Sequence, residues 1–150
     1  LNGAITLGTY DGANVEIIKQ VGEENFFLFG MKDYQVEEEW KRGYSSVAYY
    51  QKNEKLRKII DFLNRGMGGK SFESISRYLL GGPVVGDPYM CFADFDSYMG
   101  AHEKASMLYY KDKRIWNQMS LMNIASAGIF SSDRTIEEYA NKIWGIRPVD

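Results

Sequence analysis

Two apolar stretches near the start of the chain are separated by a segment with helical spacing. Residues 4–8 alternate between larger apolar and smaller side chains, which is typical of a strand. Residues 26–29 are continuously apolar, as in a strand buried on both faces of a parallel sheet. Between them, a helix beginning near Gly12 is predicted by Ala13, Val15, Ile17, Ile18 and Val21. Because this connection exceeds the roughly twelve residues that a parallel crossover needs, we predict a right-handed β-α-β unit.

The middle of the chain has helical periodicity. Apolar residues recur at i, i+3, i+4 and i+7 in Leu56, Ile59, Ile60 and Leu63. A helix there is supported by a Glu54–Lys58 pair at i, i+4 and by Gly66 as a stop. Ser71 is placed to cap another helix, which carries Phe72, Ile75 and Leu79.

A break is predicted at residues 81–88, where glycine and proline cluster around Pro83 and Pro88. Residues 89–93 form a third candidate strand. One helical face is then predicted from Phe95, Tyr98, Met99, His102 and Tyr109, and the next helix, ending near Gly128, from Ile115, Met119 and Met122.

The last predicted helix has the clearest pattern. Its caps would be Ser131, Ser132 and Asp133, and its end would be marked by Gly145 and Pro148. Its broad apolar stripe comprises Ile136, Tyr139, Ala140, Ile143 and Trp144. The fold class is therefore α/β, with two or three strands and six or seven helices, which is only the second part of a doubly wound domain. Because the chain opens on Leu1 and enters a strand almost at once, we expect residues 1–150 to be a piece of a longer chain.

Composition excludes several classes of protein. Lys and Arg total 18 against 20 Asp and Glu, for a net charge of −2, which argues against a partner with a nucleic-acid or membrane surface. No apolar run approaches the roughly 20 residues of a membrane span, and we expect a soluble, cytoplasmic protein. One cysteine, Cys91, and one histidine, His102, exclude an internal disulfide framework and an ordinary structural zinc site.

The chain contains few candidates for catalysis. The turn at residues 8–14 lies between a strand and a helix, where backbone N–H groups can bind an anion, but it lacks the GxGxxG and Walker A spacings and Asp11 would repel phosphate. We therefore assign Gly8 and Gly12 to a tight turn, and Asp11 or Asn14 to the start of the helix. His102, although Asp94, Asp96 and Ser97 are near in sequence, is interpreted as an ordinary packed residue. Cys91 is interpreted as a buried small hydrophobe, since no basic residue flanks it.

The charged and hydroxyl-rich segments are also interpreted structurally. Glu37–Glu39 and the basic cluster Lys52, Lys55, Arg57 and Lys58 are predicted to be solvated helix faces. Residues 131–135 are a candidate segment for accepting a phosphate, but their position before a strong helix favours capping. No catalytic, cofactor-binding or metal-binding residue is therefore assigned.

Residues 1–17, LNGAITLGTYDGANVEI, closely resemble the segment that follows the cofactor lysine in α-glucan phosphorylases, the glycogen, starch and maltodextrin enzymes. Further segments that are similar to the family follow in the same order. They are residues 22–30 (GEENFFLFG), 92–98 (FADFDSY), 123–125 (NIA), 128–139 (GIFSSDRTIEEY) and 143–145 (IWG).

This resemblance implies a two-domain GT-B enzyme whose Rossmann-like C-terminal domain holds pyridoxal phosphate. Such enzymes cleave terminal glucosyl units from α-1,4-glucan with inorganic phosphate and release glucose 1-phosphate, the cofactor acting through its phosphate. Residues 1–150 would be the C-terminal part of that domain. By resemblance, the Schiff-base lysine and the phosphate-binding loop lie upstream of Leu1, the last helix crosses to the N-terminal domain, and the full-length enzyme is a homodimer.

Two functions therefore stay open at this point. The first is a structural part of a phosphorylase, inactive by itself. The alternative is a non-catalytic structural or oligomer-contact module derived from the phosphorylase fold.

Overall fold

The apolar stretches near the start of the chain pair as parallel strands. The computed structural model describes residues 2–82 and 85–147. Strand β1 (Leu7–Gly8) pairs with β2 (Phe27–Leu28), with Leu7 opposite Phe27, and helix α1 (Gly12–Val21) connects them. The predicted parallel arrangement is confirmed. The strands are shorter than the apolar stretches. Beside them, the Phe27 N–H donates to the Thr6 carbonyl oxygen and the Phe29 N–H to the Gly8 carbonyl oxygen.

Four helices follow the sheet. They are α2 (Asp33–Lys41), α3 (Ser46–Lys52), α4 (Glu54–Arg65) and α5 (Glu73–Leu80). The Asn53 side chain begins α4 by accepting hydrogen bonds from the N–H groups of Lys55 and Leu56, and Gly66 ends the helix at a φ of 74°. The predicted Glu54–Lys58 pair is present at 2.7 Å. Ser71 supports the start of α5, where its hydroxyl oxygen accepts from the Glu73 N–H.

The second half of the chain is helical throughout most of its length. It contains α6 (Cys91–Lys111), α7 (Lys113–Ala125) and α8 (Ser132–Tyr139), with a 3-10 turn at Ala127–Phe130 and a π-helical turn at Ala140–Trp144 after α8. The fold is thus helix-rich with a two-stranded parallel sheet. Among the residues described, no strand follows β2.

The predicted strand at residues 89–93 is wrong. Met90 adopts a left-handed backbone conformation with a φ of 53°, and α6 begins at the next residue. The N–H groups of Cys91 and Phe92 donate to the carboxylate of Asp87 rather than to a neighbouring strand. These residues therefore begin a helix.

Two compact apolar groups hold the helices. Leu56, Ile60 and Phe92 form a buried cluster that joins α4 to α6, with Tyr49 of α3 and Leu79 of α5 packed against it. Near the sheet, Val21, Phe26 and Phe27 are buried. Burial at about 25 cal/mol per Å² of apolar surface makes these clusters the main source of stability.

The last helix forms, but its apolar stripe is exposed in this chain. Ile136, Ile143 and Trp144 remain 55%, 65% and 55% exposed. The predicted caps are also only partly right: Ser131 precedes α8 without a side-chain capping bond, while Ser132 and Asp133 lie in its first turn. Gly145 ends the π-helical turn in the left-handed region, as predicted. The predictions for Leu1, Pro83 and Pro148 fall outside the described residues.

Candidate functional site

The carboxyl end of β2 is tied to the first two turns of α6. The Met31 N–H donates to Oδ1 of Asp94 at 2.9 Å, and the Gly30 N–H donates to the hydroxyl oxygen of Ser97 at 3.0 Å. Gly30 has a φ of 84°, and a Cβ atom there would stand 2.6 Å from Oδ2 of Asp94. Glycine is therefore required where the strand passes the helix.

Asp87 organises the amino end of α6. Its side chain is 1% exposed and accepts hydrogen bonds from the Cys91 N–H, the Phe92 N–H and the Tyr44 hydroxyl at 2.9, 2.7 and 2.6 Å. Burial, together with the hydrogen bond to Asp87, raises the pKa of Tyr44 above its ordinary value. A single carboxylate thus fixes both the start of α6 and Tyr44, which lies two positions before α3.

A cavity of about 590 Å³ lies where these parts meet, at the carboxyl ends of both strands. This is the edge of a parallel α/β sheet at which ligands generally bind. Its walls are mostly apolar and include the aromatic rings of Phe29, Tyr89, Phe95 and Tyr98. Its polar side chains include Thr9, Asp11 and Asp94. Among the described residues that line it, none is Lys, Arg or His.

The two carboxylates differ in environment. Burial raises the pKa of Asp94, and the hydrogen bond from Met31 opposes that effect. Asp11 is exposed, and its Oδ2 accepts from the Thr9 hydroxyl at 3.1 Å. The cavity therefore combines a half-buried and a solvent-facing acceptor.

Comparison with known proteins identifies the family. The sequence profile of carbohydrate phosphorylases matches residues 1–146. The chain belongs to the carbohydrate phosphorylase family.

Individual phosphorylases match over nearly the whole chain. Glycogen phosphorylase from Synechocystis sp. is 44% identical over 149 residues, covering 99% of this chain and 17% of that enzyme. The muscle form of human glycogen phosphorylase is 43% identical over 148 residues, covering 99% of this chain and 18% of that enzyme, and the mouse muscle form is 44% identical over the same extent. The chain therefore spans less than one fifth of the length of these relatives.

The segments that resemble phosphorylases meet in space. Residues 22–30 supply Gly30 and residues 92–98 supply Asp94 and Ser97, so two segments separated by more than sixty positions form one side of the cavity. Another contact of this kind joins Asn25 to Asn123, whose amide donates to the Asn25 carbonyl oxygen at 3.3 Å.

The turn at residues 8–14 is held by a hydrogen bond from a side chain to the main chain. The Asn14 amide donates to the Thr9 carbonyl oxygen at 2.9 Å, and Asp11 precedes α1 without a capping bond from its side chain. Gly12 begins α1 with a φ of 47°, whereas Gly8 is the last residue of β1, and Asn14 rather than Asp11 bonds to the backbone of the turn.

Cys91 and His102 do not lie where the sequence placed them. Cys91 is exposed rather than buried, since it is the first residue of α6 and lines the cavity. Partial burial of its sulfur atom and the nearby Asp87 carboxylate raise the pKa of the Cys91 thiol, which lowers the fraction present as the reactive thiolate. His102 is exposed on α6, with its ring centroid 6.0 Å from that of Tyr98.

The charged segments lie on helix surfaces, as predicted, with two exceptions. Glu37 pairs with Lys41, and Lys52, Lys55 and Lys58 are exposed. Arg57 is half-buried instead, and its guanidinium donates to the Gln51 carbonyl oxygen. Glu39 instead accepts a hydrogen bond from the Tyr49 hydroxyl at 2.7 Å. Burial and this hydrogen bond raise the pKa of Tyr49 to about 12.

Sequence reasoning missed Asp87 and Asn123 as organising residues. Asp87 falls within the predicted break at residues 81–88, although an Asp shortly before an apolar run is a signal for a helix start. Asn123 carries no such signal, because its partner Asn25 is 98 residues away.

The part of the chain that the structure describes contains no group of three or more acidic, His or Cys side chains able to hold a metal ion. None of the helices in that part has the length and apolarity needed to cross a membrane.

Proposed function

We propose that this chain is the C-terminal part of the cofactor-holding domain of an α-1,4-glucan phosphorylase. The complete enzyme would cleave terminal glucosyl units with inorganic phosphate and release glucose 1-phosphate, working in the cytoplasm as a homodimer. The observation that carries this proposal is the collinear match of 99% of the chain to glycogen phosphorylases at 43–44% identity.

The parallel β1-α1-β2 unit supports the placement in a Rossmann-like domain. Two parallel strands joined by a helix are the repeating unit of doubly wound sheets, and such a unit buries its strands only when further strands and helices cover both faces. We therefore assign the chain to the C-terminal domain of a GT-B fold.

Pyridoxal phosphate, the cofactor that this family implies, does not fit the cavity formed by these residues. An imine to its aldehyde needs a lysine held beside it, and every lysine of the chain is exposed. Its phosphate needs N–H donors or basic groups, whereas the cavity presents the carboxylates of Asp11 and Asp94. We assign the lysine and the phosphate-binding loop to the chain upstream of Leu1.

The role of this chain within the enzyme is support. Asp94 and Ser97 hold the carboxyl end of β2 against α6, Asp87 holds the start of α6, and α7 holds the turn before β2. Strand ends in such domains carry the loops that face a ligand, so rigid strand ends position those loops.

The alternative of a non-catalytic module is favoured by one observation. Within residues 2–82 and 85–147, no group of three or more His, Cys, Asp or Glu side chains is placed to hold a metal ion, and partial burial and the Asp87 carboxylate raise the pKa of the Cys91 thiol. Both proposals agree that the chain alone is inactive, and they differ on the complete protein.

The deciding experiment is an assay of the complete protein that contains residues 1–150, supplied with a maltooligosaccharide and inorganic phosphate. We expect release of glucose 1-phosphate, and none from the 150-residue chain assayed in parallel. A folded complete protein without turnover would favour the non-catalytic module.

A further inference from the structure

The cavity at the carboxyl ends of β1 and β2 has the size and lining of a small-molecule site. Its volume of about 590 Å³ lies within the roughly 300–1,000 Å³ typical of ligand pockets, and apolar walls with a few polar groups are the usual composition. The cavity is also anchored, because Asp94 and Ser97 tie one of its walls to the end of β2.

Its aromatic walls provide flat surfaces for a ring. Tyr98 packs edge-on against Phe29, with ring centroids 5.2 Å apart and an interplanar angle of 71°, so each ring restricts the other. Tyr98 is 38% exposed and Tyr89 is 81% exposed, which leaves apolar ring surface at the cavity mouth. The C–H face of a sugar ring packs on such a surface through apolar contact and weak C–H interactions.

The two carboxylates of the cavity, Asp11 and Asp94, are hydrogen-bond acceptors. Oδ2 of Asp11 accepts from the Thr9 hydroxyl and Oδ1 of Asp94 accepts from the Met31 N–H. Within residues 2–82 and 85–147, the second oxygen of each carboxylate has no hydrogen-bond donor. An ionised carboxylate only accepts hydrogen bonds, and a sugar hydroxyl is a donor that matches it.

The charge of the lining selects between the two substrates of a glucan phosphorylase. Phosphate and glucose 1-phosphate are anions, and they would meet two carboxylates without a compensating Lys, Arg or His among the described lining residues. A glucan is neutral and rich in hydroxyl donors. The open mouth lets hydroxyl groups that find no partner stay in water, which avoids the cost of burying them.

We propose that this cavity is a subsite for a neutral glucosyl unit, with Asp11 as a hydroxyl acceptor and Tyr98 as the stacking surface. The proposal rests on the proposed function, since that function supplies an α-glucan as the substrate. It adds a sugar-binding location that excludes phosphate.

The test uses three variants of the complete protein, Asp11→Asn, Tyr98→Ala and Tyr98→Phe. Asp61→Asn is the matched control, because Asp61 is exposed on α4 and lies outside the cavity. Two measurements are made on each: the KM for a maltooligosaccharide and for phosphate, and the Kd of the oligosaccharide by calorimetric titration without phosphate. Circular dichroism establishes that each variant is folded, which we expect of Asp11→Asn because Asp11 is an exposed turn residue.

We expect Asp11→Asn and Tyr98→Ala each to raise the oligosaccharide KM and Kd about tenfold. That factor corresponds to the loss of one hydrogen bond to a charged group or of one stacking contact. The phosphate KM should not change. Tyr98→Phe, which keeps the ring, should raise the oligosaccharide KM and Kd less than Tyr98→Ala does, and Asp61→Asn should behave as the unaltered protein does.

An unchanged oligosaccharide Kd in both Asp11→Asn and Tyr98→Ala, or an equal rise in the phosphate KM, would overturn the subsite. An unaltered protein that binds oligosaccharide in this Asp11-dependent manner but yields no glucose 1-phosphate would contradict the proposed function and keep the subsite. The titration therefore separates the two failures.

Discussion

The side-chain amide of Asn123 donates a hydrogen bond to the main-chain carbonyl oxygen of Asn25, 98 residues earlier in the chain, at 3.3 Å. Asn123 is 0% exposed, and it also donates to the Met119 carbonyl oxygen within α7. The Asn25 amide in turn donates to the Val21 carbonyl oxygen at the end of α1. Two buried amides thus join α7 to the turn that leads into β2.

Replacing Asn123 should therefore destabilise the fold. Asn123→Ala removes the donor that reaches Asn25 and leaves buried carbonyl groups with fewer partners, at a cost of about 1–3 kcal/mol. The free energy of unfolding in urea measures the effect. Asn117→Ala, an exposed position on the same helix, should change it by no more than about 0.5 kcal/mol, and equal losses in both variants would show that the buried contact is unimportant.

Replacing Asp87 should destabilise the fold more than replacing Asn123 does. Asp87→Ala leaves two N–H groups of α6 and the Tyr44 hydroxyl without their acceptor, and each of these bonds involves a charged partner. We expect a loss of about 3 kcal/mol or more in unfolding free energy. Asp61→Ala provides the exposed comparison, and the start of α6 can be followed by amide hydrogen exchange at Cys91 and Phe92. Unaltered protection of these two amides would contradict the capping role.

Alkaline pH should weaken the fold through Tyr44 and Tyr49. Burial and the hydrogen bond to Glu39 raise the pKa of Tyr49 from 10.0 to about 12, and the pKa of Tyr44 is raised as well. A raised folded-state pKa means that the folded chain holds the proton more tightly than the unfolded chain. The resulting stability is fully present below about pH 10 and is lost as the pH rises through the folded-state pKa.

Urea midpoints measured at intervals from about pH 9 to about pH 12 test this expectation. The double variant Tyr44→Phe with Tyr49→Phe should show a shallower decline over that interval, because neither ring titrates. An identical slope in both proteins would assign the alkaline loss to other groups.

The apolar stripe of α8 and the following turn should contribute to stability only where another part of the protein covers it. Trp144 is 55% exposed in this chain, so Trp144→Ala should cost the isolated chain much less than the about 3–5 kcal/mol of a buried Trp. In the complete protein we expect the larger loss, because the resemblance to phosphorylases predicts that this helix crosses to the N-terminal domain. Glu137→Ala should stay within about 0.5 kcal/mol in both contexts. The thermal unfolding midpoints of the variants measure these effects. Comparable midpoints for Trp144→Ala and Glu137→Ala in the complete protein would contradict the assignment of Trp144 to the buried face.

The 150-residue chain alone should neither bind pyridoxal phosphate specifically nor phosphorolyse glucan. All of its lysines are exposed, so imines with the aldehyde should be weak and unselective. Catalysis also collapses when groups that must be held together in one closed cleft are absent. Borohydride reduction after mixing with the cofactor, followed by peptide mapping, reports the modified lysines. One dominant stoichiometric site, or glucose 1-phosphate above a boiled control, would show that the chain is more self-sufficient than proposed.

Local patterns in the sequence determined the β1-α1-β2 unit, α4 and the family. Each of these depends on neighbours within a few positions or on ordered motifs: the apolar stretches around β1 and β2, the i, i+4 pair of Glu54 and Lys58, and the conserved order of segments that resemble phosphorylases. Parallel strand direction is also predicted from the sequence, because the connection is long enough for a crossover and has helical spacing.

The tertiary structure decided what depends on distant partners. The apolar residues after Met90 have no periodicity that separates a short strand from a helix start, and the buried carboxylate of Asp87 resolved that choice in favour of α6. Cys91 became exposed for the same reason, since it stands at the first turn of that helix. The contacts of Met31 with Asp94 and of Asn25 with Asn123 join positions 63 and 98 residues apart. Packing alone creates such contacts and the cavity beside them, because no local preference of the backbone specifies which distant side chain will be there.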